Sequence, residues 1–260
     1  MSTITTDEKP AHLFLASLGK TRLRPGGKAA TERILEACHI TSDTLLLEVA
    51  PNMGTTAIHI AQTYGCDVTG IDLHEPSILK ARENIKQHGL ENSVRVELGN
   101  ALSLPFADDS FDVVINEAML SMLPLEQKRQ AIHEYMRVLK PGGRLGTHDL
   151  LLRLDPEAEG NRARLNALRK SLFVNAQPMT ESAWSTLFNE VGFSEIDVHT
   201  GSMTLLSLKG LIIDEGWEGT LKLLGNASQY EYSKQRLFEL ISTFEDNNDF
   251  YGHITFVATK

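Results

Sequence analysis

The chain has 260 residues, 42% of them hydrophobic and 23% charged, and a formal net charge of −9. That length suits one large domain or a core domain with an appended piece, and the composition is that of an ordinary soluble globular protein. The acidic balance argues against nucleic acid as the main partner, since a phosphate backbone needs a basic face, and no apolar run approaches the roughly 20 residues that span a bilayer.

The opening stretch "MSTITTDEKPAHLF" has neither the basic segment nor the apolar core of a secretory signal. Only two cysteines occur, Cys38 and Cys66. They predict two free thiols in a reducing cytoplasm and cannot supply a thiolate cluster, so no metal site is expected. The basic run Lys20-Thr21-Arg22-Leu23-Arg24 is short. It reads, with Arg153, Arg162 and Arg164, as solvated surface from which one or two residues could clamp an anion. A small molecule is the expected partner, and oligomeric state stays open.

Residues 1–43 hold one helix, over about 28–37, after the turn "RPGG". From residue 44 strand and helix patterns alternate, which predicts an α/β fold with a mostly parallel, doubly wound sheet. The first strand, 44–49, is a continuous apolar run, as expected when both faces are buried. Thr55 or Thr56 can cap the next helix and Gly65 can close it. A second strand, 68–73, is followed by a helix that stacks Ile78, Ala81 and Ile85 on one face. "SVRVELGNA" and "DSFDVVINEA" are the third and fourth strands. A helix over about 126–140 aligns Ile132, Met136 and Leu139, and "KPGG" stops it. "RLGTHDLLL" is the fifth strand, "TESAWSTLFNEVGF" a helix, "SEIDVHTG" the sixth strand and "YGHITFVATK" the seventh. Between the last two lie helical patterns over about 204–249, the final one placing Leu237, Leu240, Ile241 and Phe244 together. The expected organisation is thus an amino-terminal helical cap, 1–43, and a domain over 44–260 with a helical insertion at about 204–249. Both extra segments could act as a lid over the carboxyl edge of the sheet, where open α/β folds bind ligands.

The loop after the first strand, Ala50-Pro51-Asn52-Met53-Gly54, has one glycine where nucleotide-binding corners carry two or three. Ala50 keeps most of the close approach that glycine allows, and Pro51 biases Ala50 toward extended geometry. Asn52 tolerates positive φ, and Gly54 keeps the helix packed close. The loop therefore reads as altered in sequence and preserved in shape.

Four pieces, "LLLEVAPNMG", "DVTGIDLHEPSILKAREN", "GNALSLPFADDSFDVVINEAML" and "EYMRVLKPGGRLGTHDL", come in the order seen in one family. Over about residues 44–151 the chain resembles the Rossmann-like, seven-stranded S-adenosylmethionine-dependent methyltransferases of class I. The resemblance implies that Glu48 meets the cationic amino group of the cofactor and that the loop, through Ala50, Asn52 and Gly54, lines it. Asp72 would accept the ribose hydroxyls with Leu73 beside it, and Asn100-Ala101 would meet the adenine in place of the usual Asp-Ala. Glu117 stands where the family approaches the sulfonium and the acceptor. His148 and Asp149 follow the fifth strand at the acceptor side, where His148 could serve as general base or orient the acceptor. His12, His59, His74 and His133 read as structural.

The expected activity is methyl transfer to an unidentified small molecule. Two alternatives stay open: a protein that binds the cofactor without transfer, and a nicotinamide-dependent oxidoreductase. Glu48 at a diphosphate site and the lost glycines count against the second. The sequence "NEAML" after the fourth strand disfavours DNA and protein-amide acceptors, and the scarcity of cysteine disfavours arsenic.

Overall fold

The computed structural model describes residues 9–260. The expectation of no leader rests partly on residues 1–8, outside the described part. Eight strands form one sheet: β1 Leu45–Val49, β2 Asp67–Asp72, β3 Val94–Leu98, β4 Phe111–Glu117, β5 Leu139–Leu152, β6 Met179–Thr180, β7 Ser194–Ser202 and β8 Tyr251–Thr259. Their order is β3-β2-β1-β4-β5-β8-β7, with the two-residue β6 pairing beside β5. The pairs from β3 through β5 are parallel, and β8 is antiparallel to both β5 and β7. The seven expected strands are all present, and β6 is an addition to them.

The continuous apolar runs follow from two covered faces. Leu46 and Val113 pack on one side under α2 Gly27–Ala37, α3 Thr55–Tyr64 and α4 Glu75–Gln87. Leu47 and Val114 point to the other, under α5 Leu125–Val138 and α7 Glu181–Val191, because successive strand residues alternate sides. A third apolar cluster joins α1 Ala11–Ser17, α6 Asn161–Leu172, α8 Leu208–Ser228 and α9 Glu231–Glu245 to Leu150 and Leu152 at the end of β5. Leu237, Leu240 and Phe244 of α9 are buried there, as their spacing predicts.

Several local expectations are corrected. Gly54, in a left-handed conformation at φ 74°, is the N-cap of α3, and neither Thr55 nor Thr56 caps it. Ala50 is left-handed as well, at φ 60°, against the extended bias that Pro51 imposes. Its N–H is held by the carbonyl of Ile71 at 2.8 Å, so sheet pairing overrides the local preference. Helix α5 ends at Val138, and Leu139 pairs with Phe111 as the first residue of β5, so the helix buries Ile132, Tyr135 and Val138. The segment Lys140-Pro141-Gly142-Gly143 becomes an irregular opening of that strand, since the register jumps from Leu139 to Arg144 across two residues of β4.

The stretch around residues 20–28 is the largest departure. Lys20 is fully buried and pairs with Asp214 at 3.1 Å and Glu215 at 3.4 Å, both on α8. Glu215 also accepts the N–H groups of Thr21 and Arg22, and Asp214 accepts that of Lys28 at 2.7 Å. Two adjacent acids thus bind the presumed surface run to the inserted helix, which breaks its helical geometry immediately afterwards at Gly216. Gly27 has φ 59°, and a Cβ there would lie 2.5 Å from the Asp214 carboxylate. Gly27→Ala should therefore lose at least the ~1–3 kcal/mol of a left-handed non-glycine residue, measured as a lower denaturation midpoint in urea.

Candidate functional site

In a parallel sheet the carboxyl ends of the strands lie on one edge, and here that edge carries Glu48 on β1, Asp72 on β2, Glu117 on β4 and His148 on β5. Glu117 and His148 are register partners. Their side chains meet, Nδ1 to Oε2, at 2.9 Å.

Glu117 is surrounded by donors. Arg24 Nη1 reaches Oε1 at 2.6 Å and Thr56 Oγ1 reaches it at 3.1 Å, while Thr31 Oγ1 donates to Oε2 at 2.6 Å. Burial alone would raise its pKa. The Arg24 guanidinium and the hydrogen bonds from His148 and Thr31 more than offset this and hold it at about 2. His148 is wholly buried, and its Nε2 lies 2.9 Å from the backbone nitrogen of Gly26. That N–H can only donate, so Nε2 accepts and Nδ1 carries the proton given to Glu117. Both ring nitrogens are committed. The geometry argues against the expectation of a general base at His148, and equally against Glu117 as a proton acceptor. Asp149 is also buried, and receives the N–H of Ser121 at 3.0 Å and of Leu150 at 2.7 Å.

Glu48 differs from Glu117. It is 4% exposed, and its Oε2 has no hydrogen-bond partner. Burial pushes its pKa up to about 8, with the nearby Glu117 carboxylate adding to the rise and Arg24 opposing it. An orphaned, buried carboxyl oxygen of this kind fits a cationic ammonium group, whose charge would favour its ionised form. Asp72 receives the N–H of Asn52 at 3.2 Å on Oδ2 and of His74 at 2.9 Å on Oδ1, which aims both oxygens while leaving each a free lone pair. Asn52 itself has φ 50°, the positive value its side chain tolerates.

Glu48, Ala50, Asn52, Asp72 and Glu117 all line one cavity of about 470 Å³. Gly54, Leu73, Asn100, Ala101 and His148 are not on its wall. Gly54 instead sets the approach of α3 to α4, where a Cβ would meet that of Ala81 at 3.2 Å. Leu73 is 68% exposed beside Asp72, and Asn100 is exposed with its Oδ1 receiving the N–H of Leu102 at 2.9 Å. Ala101 packs on the core. Among the wall residues that the sequence did not assign to the site are His12 and Leu15 on α1 and Arg24. The apolar spacing of "AHLFLAS" could have revealed the first two. No local signal marks Arg24, whose partner is 93 residues away. Arg22, Arg153, Arg162 and Arg164 stay off the wall. Cys38 is buried, and its thiol is pushed up to about 12 by that burial, so it is unreactive. Among the described residues no cluster of three or more metal-ligating side chains forms, and no helix is long and apolar enough to cross a membrane.

Residues 46–143 match a family model described as a methyltransferase domain. A chain of Haemophilus influenzae described only as an uncharacterized protein is 47% identical over 92% of this chain and 93% of its own length. Methyltransferase GfsG of Streptomyces halstedii is 31% identical over 76% of this chain and 72% of its own. Among solved structures, phosphoethanolamine N-methyltransferase 2 of Haemonchus contortus, in complex with phosphomonomethylethanolamine and S-adenosylhomocysteine, superposes with a TM-score of 0.74. It is 19% identical, over 95% of this chain and 56% of that one.

The carboxyl of Glu48 ionises near 4.5 when unfolded and near 8 when folded. The native state therefore holds a proton that the unfolded state has released. This stability is present below pH 4.5 and is lost as pH rises toward 8. Glu48→Gln should flatten the decline of the melting temperature of the ligand-free protein over that range. Arg24→Met strands the Glu117 carboxylate and should cost about 3–5 kcal/mol, read from urea unfolding at pH 7.

Proposed function

Since the chain belongs to the S-adenosylmethionine-dependent methyltransferases of class I, we propose that its acceptor is a small molecule taken up in the cavity over β1, β2 and β4. The cofactor of this family, when bound, supplies an electrophilic methyl group on a sulfonium that an in-line nucleophile can take. The chain's own residues provide the rest. Glu48, ionised and paired, holds the ammonium of the methionyl end, and the observation that carries this reading is its buried oxygen without a partner. Asp72, its oxygens oriented by Asn52 and His74, receives the ribose hydroxyls. Leu73 offers an exposed apolar face for the adenine, with Asn100 and Ala101 nearby along the sheet edge.

His148 and Glu117 act as positioning residues. Together they fix Arg24, Thr31, Thr56 and the start of α2 around the reacting end. Orientation of the acceptor against the methyl group accounts for the rate, a contribution that reaches several kcal/mol where the geometry is held. Helices α1 and α9 supply Leu15, Leu240 and Phe244 to the wall, and we assign these two helices the role of a lid.

Titration calorimetry tests the reading directly. S-adenosylmethionine and S-adenosylhomocysteine should bind saturably and NAD should not. Asp72→Ala should weaken both adenosyl ligands by roughly ten- to a hundredfold, the effect of losing charge-assisted hydrogen bonds worth about 1.5–3 kcal/mol. Saturable NAD binding, or unchanged affinity in the variant, would overturn it.

A further inference from the structure

The cavity has two chemically different ends. Its polar end is built from the strand edge and carries Glu48, Asp72 and Glu117. Its other end is walled by Leu15, Leu172, Val174, Met203, Leu240 and Phe244, contributed by α1, α6 and the segment after it, the approach to α8, and α9. These residues belong to, or pack on, the third apolar cluster, so the wall is continuous with a packed core.

The charged and titratable side chains on the whole wall, among the described residues, are His12, Arg24, Glu48, Asp72, His74 and Glu117. All but His12, on α1, stand on the strand edge or pair with a residue of it at the polar end. Arg24 and Glu117 neutralise each other at 2.6 Å. Glu48 and Asp72 face the cofactor in the reading above. His74 bonds through its N–H to Asp72 and through its ring to Ser77, and burial lowers the pKa of His12, with the neighbouring His74 adding to the fall and Asp72 opposing it, which disfavours a cationic ring there. An acceptor bearing a phosphate, a carboxylate or an ammonium group would have to lose its hydration beside leucine, valine, methionine and phenylalanine with no counter-ion left to meet it, which is strongly unfavourable.

We infer that the acceptor is an uncharged, predominantly hydrocarbon molecule, held by its apolar part in the chamber between α1, α6 and α9. This deepens the methyltransferase reading and rests on it. Two features fit the assignment. Met119, Met122 and Met203 line the same cavity, and unbranched thioether side chains adapt to apolar ligands of irregular shape. Arg24 Nε is buried without a partner. Because Glu117 already balances the guanidinium charge, that N–H suits a neutral carbonyl or hydroxyl oxygen on the acceptor better than an anion.

Calorimetry on the full chain saturated with S-adenosylhomocysteine tests this with matched probes: 1-butanol, 1-hexanol and 1-octanol against octanoate, octyl phosphate and octylammonium. The alcohols should bind, tightening about fourfold for each added methylene, the equivalent of about 0.8 kcal/mol. Each charged eight-carbon probe should bind at least tenfold more weakly than 1-octanol. Val174→Lys, at a half-buried position outside the regular elements, should weaken 1-octanol at least tenfold and leave S-adenosylhomocysteine binding unchanged. Equal or tighter binding of a charged probe, or no binding of 1-octanol by protein that takes up S-adenosylhomocysteine normally, would overturn the acceptor class alone. Failure to bind S-adenosylhomocysteine would sink the parent reading, and this inference with it.

Discussion

One carboxylate organises the reacting end of this protein. Glu117 stands at the end of β4 and receives hydrogen bonds from the segment before α2, from α2, from α3 and from β5. Removing two charges from water is costly, and a buried ion pair is by itself weak support for stability. What the Arg24–Glu117 contact supplies is location. An arginine inside the fold has one place where its charge is met, so the chain around residues 22–31 must lie across the sheet edge. His148 reinforces this by holding Glu117 with one nitrogen and the Gly26 N–H with the other.

A second ionic cluster does for the inserted helices what the first does for the sheet edge. Asp214 and Glu215 collect Lys20, the backbone of Thr21, Arg22 and Lys28, and the side chain of Thr21. The amino-terminal segment is therefore fixed at both ends, once to the sheet and once to α8. Between these anchors Leu23, Arg24 and Pro25 contribute to the cavity wall. The two clusters also explain how a chain with a net charge of −9 presents an apolar interior to a ligand. The acids nearest the cavity are either paired with cations or directed at one end.

Much of this was legible in the sequence where the signal is local. Continuous apolar runs gave the buried strands, and an acid closing such a run gave Glu48 and Asp72 their places on the sheet edge. The conformational tolerance of Asn52 was readable for the same reason, since φ is a property of one residue and its neighbours. Ala50 was misjudged because a sheet hydrogen bond outweighs the bias of the following proline. Arg24 and Lys20 looked like solvated surface because their partners lie 93 and 194 residues away, and nothing in a short window reports such a pair. His148 was expected near the acceptor as a possible base, and its hydrogen bonds to Glu117 and to the Gly26 N–H leave no ring nitrogen free for that role. Helix α6 repeats Leu165, Leu168 and Leu172 at helical spacing, yet it is embedded in a polar, charged stretch that dilutes the pattern.

The position of β8 has a consequence for how the molecule is made. Residues 251–259 do not extend the sheet at an edge. They fill a slot between β5 and β7, pairing with both in antiparallel fashion. Until that segment leaves the ribosome, β5 and β7 each present an unpaired row of amide and carbonyl groups, which is a template for pairing with another chain. The buried face of Phe256 and Ile254 is then also missing from beside Trp184 and Phe188. The nascent protein is thus most exposed to misassembly while the parallel part, β1 to β5, is already made, and closure of the slot is a late, non-local event of the kind that folds slowly.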